Sequence, residues 1–115
     1  MKKEIEIQQE NINNLIKLAK ENPNLEIIPM VDSEVVSSDD FNCWRGKWGK
    51  AEIDEIYCED ERIYFKSSDF EELVDEYIER YEGHLINEIE IEEWAEEQVK
   101  NLPWEKVITV NIKNL

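Results

Sequence analysis

Glycine, proline, cysteine, histidine and basic side chains are scarce in this sequence, and it contains no long apolar run. Three glycines and three prolines among 115 residues exclude a collagen-like chain and a low-complexity linker. The lack of an apolar run of about 18 residues excludes a membrane-spanning helix. Because the first residues are mostly polar or charged, we expect no secretory signal and therefore a cytoplasmic protein.

Cysteine and histidine occur only as Cys43, Cys58 and His84. A structural zinc site usually takes four such ligands, and the turn at 59–61 lacks the Asp-x-Asp-x-Asp-Gly pattern of a calcium loop. We therefore expect no metal site, no cofactor and no catalytic residue, and the chain is not predicted to be an enzyme. In a reducing cytosol both cysteines would be free thiols, although a disulfide between neighbouring strands stays open. His84 is expected at a helix end, where a cation complements the helix dipole.

The acidic side chains are concentrated in one half of the chain. There are 29 acidic and 13 basic residues, a net charge of −16, and residues 52–105 alone carry 20 acids and 4 bases. Such a charge argues against direct binding to nucleic acid or to an anionic membrane. The acids form either an interaction surface or a merely solvated one. Disorder is not expected over most of the chain, because it has 11 aromatic residues and 15 isoleucines.

Hydrophobic periodicity predicts a single acidic α+β domain over residues 1–115. The predicted elements are a helix over 4–21, strands over 25–31, 51–58 and 62–66, helices over 68–82 and 88–102, and a strand over 106–112. Strands followed by paired helices predict an antiparallel sheet of three to four strands with the two acidic helices on one side. The polar stretch 33–42 is predicted to be a loop, and strand order is left open.

Local signals predict where the acidic helices begin and end. Ser68 or Ser67 caps the first of them, since Ser68 and Glu71 fit a capping box. Gly83 is expected to end that helix as its C′ residue, and Pro103 to stop the second helix.

The outer faces of these two helices carry carboxylates at three- and four-residue spacing. The candidate partner-binding acids are Glu71, Glu72, Asp75, Glu76, Glu79, Glu92, Glu93, Glu96 and Glu97. Side chains at such spacing lie about 5–6 Å apart between Cβ atoms, a scale similar to that of phosphates along a DNA strand. The pattern therefore predicts a DNA-like surface that binds a basic nucleic-acid-binding protein.

Residues 43–50 form a basic, aromatic segment unlike the rest of the chain. Trp44, Arg45, Lys47 and Trp48 are candidate partner-binding residues, because tryptophan and arginine are frequent at interface hot spots. In the alternative interpretation both tryptophans pack on the sheet and the bases pair with the acidic helices. The Walker spacing of a phosphate loop is absent.

Four segments carry a resemblance to a known group of proteins. They are residues 25–32 (LEIIPMVD), 44–55 (WRGKWGKAEIDE), 62–69 (RIYFKSSD) and 102–105 (LPWE). The chain resembles, over most of 25–112, a family of small acidic proteins from phages and prophages of AT-rich Gram-positive bacteria. No activity is assigned to that family, so it implies no catalytic residues.

The phage-like setting sharpens the functional expectation. Phages encode small acidic proteins, including anti-CRISPR proteins, that block host defence nucleases. We expect an inhibitor that binds a basic defence effector, with a CRISPR nuclease as the first candidate partner, in the cytoplasm of the bacterial host. The alternatives are an immunity protein against a toxin nuclease, a small-ligand-binding phage accessory protein, and a virion or assembly protein.

Overall fold

The computed structural model describes residues 2–36, 42–84 and 87–115. The elements in chain order are α1 (Glu4–Glu21), β1 (Ile27–Val31), β2 (Lys47–Cys58), β3 (Ile63–Phe65), α2 (Lys66–Glu79), α3 (Glu88–Lys100) and β4 (Glu105–Lys113). The α+β class and the N-terminal helix over 4–21 are confirmed. Part of the predicted loop at 33–42 lies outside the described residues. No helix in the described ranges has the length and apolar character needed to span a membrane.

The four strands form one sheet in the order β1-β4-β2-β3. The sheet is mixed, so the prediction of a fully antiparallel sheet was wrong: β1 pairs parallel with β4, whereas β2 and β3 form an antiparallel hairpin. A strand sequence encodes extension and facing but not its neighbour's direction, because the same backbone donors and acceptors serve either ladder. Pro29 lies on the edge strand β1, where its missing N–H is tolerated.

The chain divides into two compact units, and the prediction of a single domain stays a prediction. The first unit comprises Met1–Ile53 and Val107–Leu115, and the second comprises Asp54–Lys106. In the first unit, Leu15 and Leu18 of α1 pack against buried residues of β2 and β4. Two amides of α1 reinforce this packing, since Asn11 and Asn14 each donate a 3.0 Å hydrogen bond to a main-chain carbonyl of β2.

The second unit has its own core, formed where α2 and α3 pack against each other and against the hairpin. The buried members are Tyr64, Leu73, Val74, Ala95 and Val99. Ala95 and Val99 are fully shielded from solvent, as the apolar stripe of the predicted helix requires. The indole Nε1 of Trp104 donates a 2.8 Å hydrogen bond to the Val99 carbonyl, which ties the segment after α3 to that helix.

The start of α2 differs from the capping prediction. The helix begins at Lys66 with Phe65 as the N-cap, and neither Ser67 nor Ser68 serves as the cap. Asp69 accepts a 2.8 Å hydrogen bond from the Phe65 N–H, and the hydroxyl of Ser67 donates to buried Asp54 of β2. A carboxylate from a strand therefore takes the position at the helix start that the sequence assigned to serine.

The end of α2 also lies earlier than predicted. The helix ends at Glu79, and Gly83 has no positive φ, so it is not a C′ residue. His84 consequently lies beyond the last turn of the helix, and its predicted role at the helix dipole was wrong. The helix α3 begins at Glu88, where the Asn87 side chain accepts a 2.9 Å hydrogen bond from the Ile89 N–H.

Candidate functional site

The nine candidate acids lie on α2 and α3 in the second unit, and we call them the acidic surface. Seven are exposed, whereas Glu76 and Glu96 are half-buried. The second unit carries 19 acidic and 5 basic residues, and the first carries 10 and 8. The charge imbalance of this protein is therefore almost entirely a property of the second unit.

Glu72 differs from the other members because Arg62 neutralises it. The guanidinium of Arg62 donates to both carboxylate oxygens at 2.8 Å, and it lies 3.4 Å from Asp69. The hydrogen bonds from Arg62 lower the pKa of Glu72, and those to Glu72 raise the pKa of Arg62. The guanidinium also lies over the Tyr64 ring, 4.4 Å from its centroid, and burial raises the pKa of this phenol.

The remaining eight carboxylates of the acidic surface make no ion pair within the part of the chain that the structure describes. The last turn of α2 holds no basic residue, so Glu76 and Glu79 lie at the negative end of a helix dipole. Negative charge at that end is destabilising. These side chains therefore repel one another and the helix end, with no cation of the second unit bound to them.

An aromatic cluster fixes α2 against α3 beneath these charges. Trp94 of α3 contacts the rings of Tyr77 and Tyr81 edge-on, with centroid distances of 6.3 and 5.0 Å. Such pairs add stabilisation beyond the burial of their area. The two helices that carry the acidic surface are therefore held together by packed aromatic rings.

The basic, aromatic candidates lie in the first unit. Lys47 and Trp48 begin β2 and do not belong to a separate loop, because the extended conformation starts four residues before the predicted strand. Trp48 is 44% exposed. Lys47 pairs at 3.5 Å with Glu4 of α1, so the alternative interpretation, in which it pairs with α2 or α3, does not hold for this residue. Arg45 makes no ion pair within the described residues.

Trp44 is half-buried, and the interpretation in which it packs on the sheet stays a prediction. Its Nε1 is buried without a hydrogen-bond partner in the described ranges. Trp44 therefore presents less of its side chain to solvent than Trp48 does.

A groove of about 650 Å³ runs beside Trp48, between the start of β2, the N-terminal half of α1 and the end of β4. Arg45, Lys47 and Trp48 line it together with residues that sequence reasoning missed, among them Ile7 and Lys113. The available signal was Ile7, an exposed apolar residue of α1 that lies outside its half-buried face. We call this feature the Trp48 groove.

No group of three or more histidine, cysteine, aspartate or glutamate side chains within residues 2–36, 42–84 and 87–115 is arranged to hold a metal ion. Cys43 and Cys58 are exposed free thiols.

Comparison with known proteins gives no relative from which a function could be transferred. No family model matches this chain, and no curated protein and no solved structure matches it. The resemblance to small acidic phage proteins stays a prediction.

Proposed function

We propose that this protein inhibits a basic nucleic-acid-binding protein by occupying its nucleic-acid groove with the acidic surface, without catalysing a reaction. One observation carries the proposal: eight carboxylates on two packed helices have no cationic partner within the described residues. Solubility alone needs a net charge of about 2–8 in a small domain, whereas the second unit carries 19 acids against 5 bases.

The physical argument rests on the cost of this arrangement. Like charges three and four residues apart on a helix repel each other, and carboxylates at the end of α2 oppose its dipole. A basic groove would relieve both penalties on binding, because its lysines and arginines replace the missing cations. Such binding is fast, electrostatically steered and weakened by salt.

The partner class follows from the same chemistry. A groove built to hold phosphates at regular spacing presents guanidinium and ammonium groups. These groups also donate hydrogen bonds to carboxylates, which can therefore take the place of phosphates. Together with the resemblance to phage proteins, this directs the search to host defence effectors in the bacterial cytoplasm, first of all a CRISPR nuclease.

The test begins with the tagged protein expressed in an AT-rich Gram-positive host that carries CRISPR loci. Proteins retained at low salt and released at about 1 M salt, where the Debye length falls to about 3 Å, are identified by mass spectrometry. We expect a basic nucleic-acid-binding protein, and we expect purified inhibitor to displace that protein's labelled nucleic acid. Failure to displace it would contradict the proposal.

Two variants of equal net charge distinguish an effect of the acidic surface from an effect of the total charge. The first carries Asp75→Lys, Glu79→Lys, Glu93→Lys and Glu97→Lys, all at exposed positions of the acidic surface. The second carries Glu21→Lys, Glu26→Lys, Glu34→Lys and Glu52→Lys, exposed positions of the first unit. We expect the first variant to lose binding and the second to retain it, with both folded by circular dichroism. Equal losses would show that net charge alone drives the association.

A further inference from the structure

The Trp48 groove has a chemistry opposite to that of the acidic surface. Among the residues that line it, Arg45, Lys47 and Lys113 are cationic, and Glu4 is the one carboxylate side chain of the described lining. Glu4 lies 3.5 Å from Lys47. Arg45 and Lys113 make no ion pair within the described residues, so two exposed cations remain available there to an anionic ligand.

A glycine positions one of these cations. A Cβ on Gly49 would lie 2.9 Å from the Asn111 carbonyl oxygen and 3.1 Å from Cε of Lys113. The stem of Lys113 therefore passes close over β2 at the point where a side chain is missing. Long basic side chains commonly lay an apolar stem on a surface and present the charge beyond it.

Apolar side chains complete the groove. Ile5 is 70% exposed, Ile7 is 38% exposed and Trp48 is 44% exposed, and all three line the same groove. Exposed apolar side chains gathered at one place and bordered by polar groups mark a binding site. The volume of about 650 Å³ falls within the range of ligand-binding clefts.

We propose that the Trp48 groove binds a short acidic segment of another protein, in which carboxylates flank a bulky apolar residue. The carboxylates would pair with Arg45 and Lys113, and the apolar residue would pack on Trp48 and Ile5. Charge complementarity selects this occupant. A long polyanion such as nucleic acid would extend into the field of a protein with a net charge of −16, whereas a short segment meets mainly the nearly balanced first unit.

This inference goes beyond the inhibitory function and does not depend on it. Together, the two surfaces would let one small protein join a basic protein to an acidic one. Because the acidic surface and the Trp48 groove belong to different units, each can be altered separately, and failure of one proposal leaves the other standing.

The probe is an array of seven-residue peptides in which glutamates flank leucine, isoleucine, phenylalanine or tryptophan. Matched sets replace each glutamate by glutamine or the apolar residue by alanine. Binding of the best peptide is then measured by fluorescence anisotropy. We expect both replacements to weaken binding about tenfold or more. Equal binding of the glutamine set, or no binding anywhere in the array, would overturn the proposal.

Variants locate the site. Arg45→Glu with Lys113→Glu, and separately Trp48→Ala, are expected to reduce peptide affinity at least about tenfold, with the melting temperature recorded to show that each is folded. Lys17→Glu with Lys50→Glu makes the same charge change at exposed positions outside the groove, and we expect it to bind normally. Equal loss in this control would overturn the assignment.

Two further outcomes would reassign the occupant. Displacement of the peptide by oligothymidylate at lower concentration would mean a polyanion site. Exposed Ile89 lies between Glu88 and Glu90, so a second copy offers similar chemistry. Concentration-dependent self-association in analytical ultracentrifugation, abolished by Ile89→Glu and by Arg45→Glu, would mean that a second copy fills the groove.

Discussion

The guanidinium of Arg62 holds the carboxylate of Glu72 through two hydrogen bonds of 2.8 Å each. Fork-to-fork pairing of this kind is the strongest form of the arginine–carboxylate contact. It joins the residue that precedes β3 to the outer face of α2. The pair also leaves a boundary on the acidic surface, because Glu72 is neutralised there while its helical neighbours are not.

The first prediction concerns the pH dependence of this pair. Arg62 lowers the pKa of Glu72 below its usual value of 4.5, so the pair stabilises the folded chain fully above that pH. The contribution is lost as the pH falls through the lower folded pKa. We expect Glu72→Gln to lower the urea midpoint at pH 7 and to lose this effect under more acidic conditions.

Glu71→Gln is the control for this measurement, since Glu71 is an exposed neighbour without an ion pair in the described residues. Removing its charge changes the net charge equally. A Glu72→Gln effect that stays constant down to the most acidic folded conditions would contradict the ion-pair explanation.

The second prediction is that one substitution at the end of α2 raises stability and lowers binding. Glu79 lies in a last turn that has no basic residue, so Glu79→Gln removes an unfavourable charge–dipole interaction. We expect the free energy of unfolding to rise by about 0.3–1 kcal/mol at low salt, and affinity for a basic partner to fall. Glu88→Gln, in the first turn of α3, should lower stability. Equal signs for the two substitutions would exclude the dipole argument.

The helices were the most predictable part of the fold. A 3.6-residue apolar period, together with the proline that follows at position 23, predicted α1 with both of its ends, and the same apolar period predicted the body of α2 and α3. Their ends depended on tertiary partners: Asp54 reaches α2 from a strand thirteen positions earlier in the sequence. The spacing of residues along the chain predicts contacts within one element, but it does not predict a capping group that comes from a distant part of the sequence.

The candidate site was predictable in composition and less so in arrangement. The acids of α2 and α3 could be found from spacing alone, because an exposed helical face repeats regularly. The pairing of Glu72 with Arg62 could not, since it depends on how the hairpin meets α2. The Trp48 groove also required the fold, which brings residues of α1, β2 and β4 together.

The third prediction tests the buried carboxylate at the start of α2. Asp54 is 8% exposed and accepts hydrogen bonds from the hydroxyl and the N–H of Ser67. Asp54→Ala should cost about 1.5–3 kcal/mol in the free energy of unfolding, because it removes hydrogen bonds to a charged acceptor. Glu52→Ala, at an exposed position of the same strand, should change stability by less than about 0.5 kcal/mol. Equal losses of unfolding free energy for Asp54→Ala and Glu52→Ala, measured by urea unfolding, would contradict the capping role of Asp54.

The fourth prediction compares two glycines. A Cβ at Gly49 would meet main-chain and Cβ atoms of Asn111 at 2.9 and 3.0 Å, and backbone in a sheet cannot easily give way. We expect Gly49→Ala to lower stability by about 1–3 kcal/mol. At Gly83 the nearest atoms belong to the Tyr81 ring, which packs against Trp94, so Gly83→Ala should also lower stability, by displacing a packed side chain. A melting temperature that either substitution leaves unchanged would contradict the prediction for that glycine.

The parallel pairing of β1 with β4 sets an order of events during synthesis. Its register joins Ile27 to Ile108, so the ladder closes only after the ribosome has delivered the last strand. The second unit is contiguous over Asp54–Lys106, and all its core residues emerge before that point. Pairing β1 with β4 first would close a long loop, and its entropic cost would come before the contacts that offset it have formed. We therefore expect the second unit to fold before β1 pairs with β4 and before α1 packs against β4.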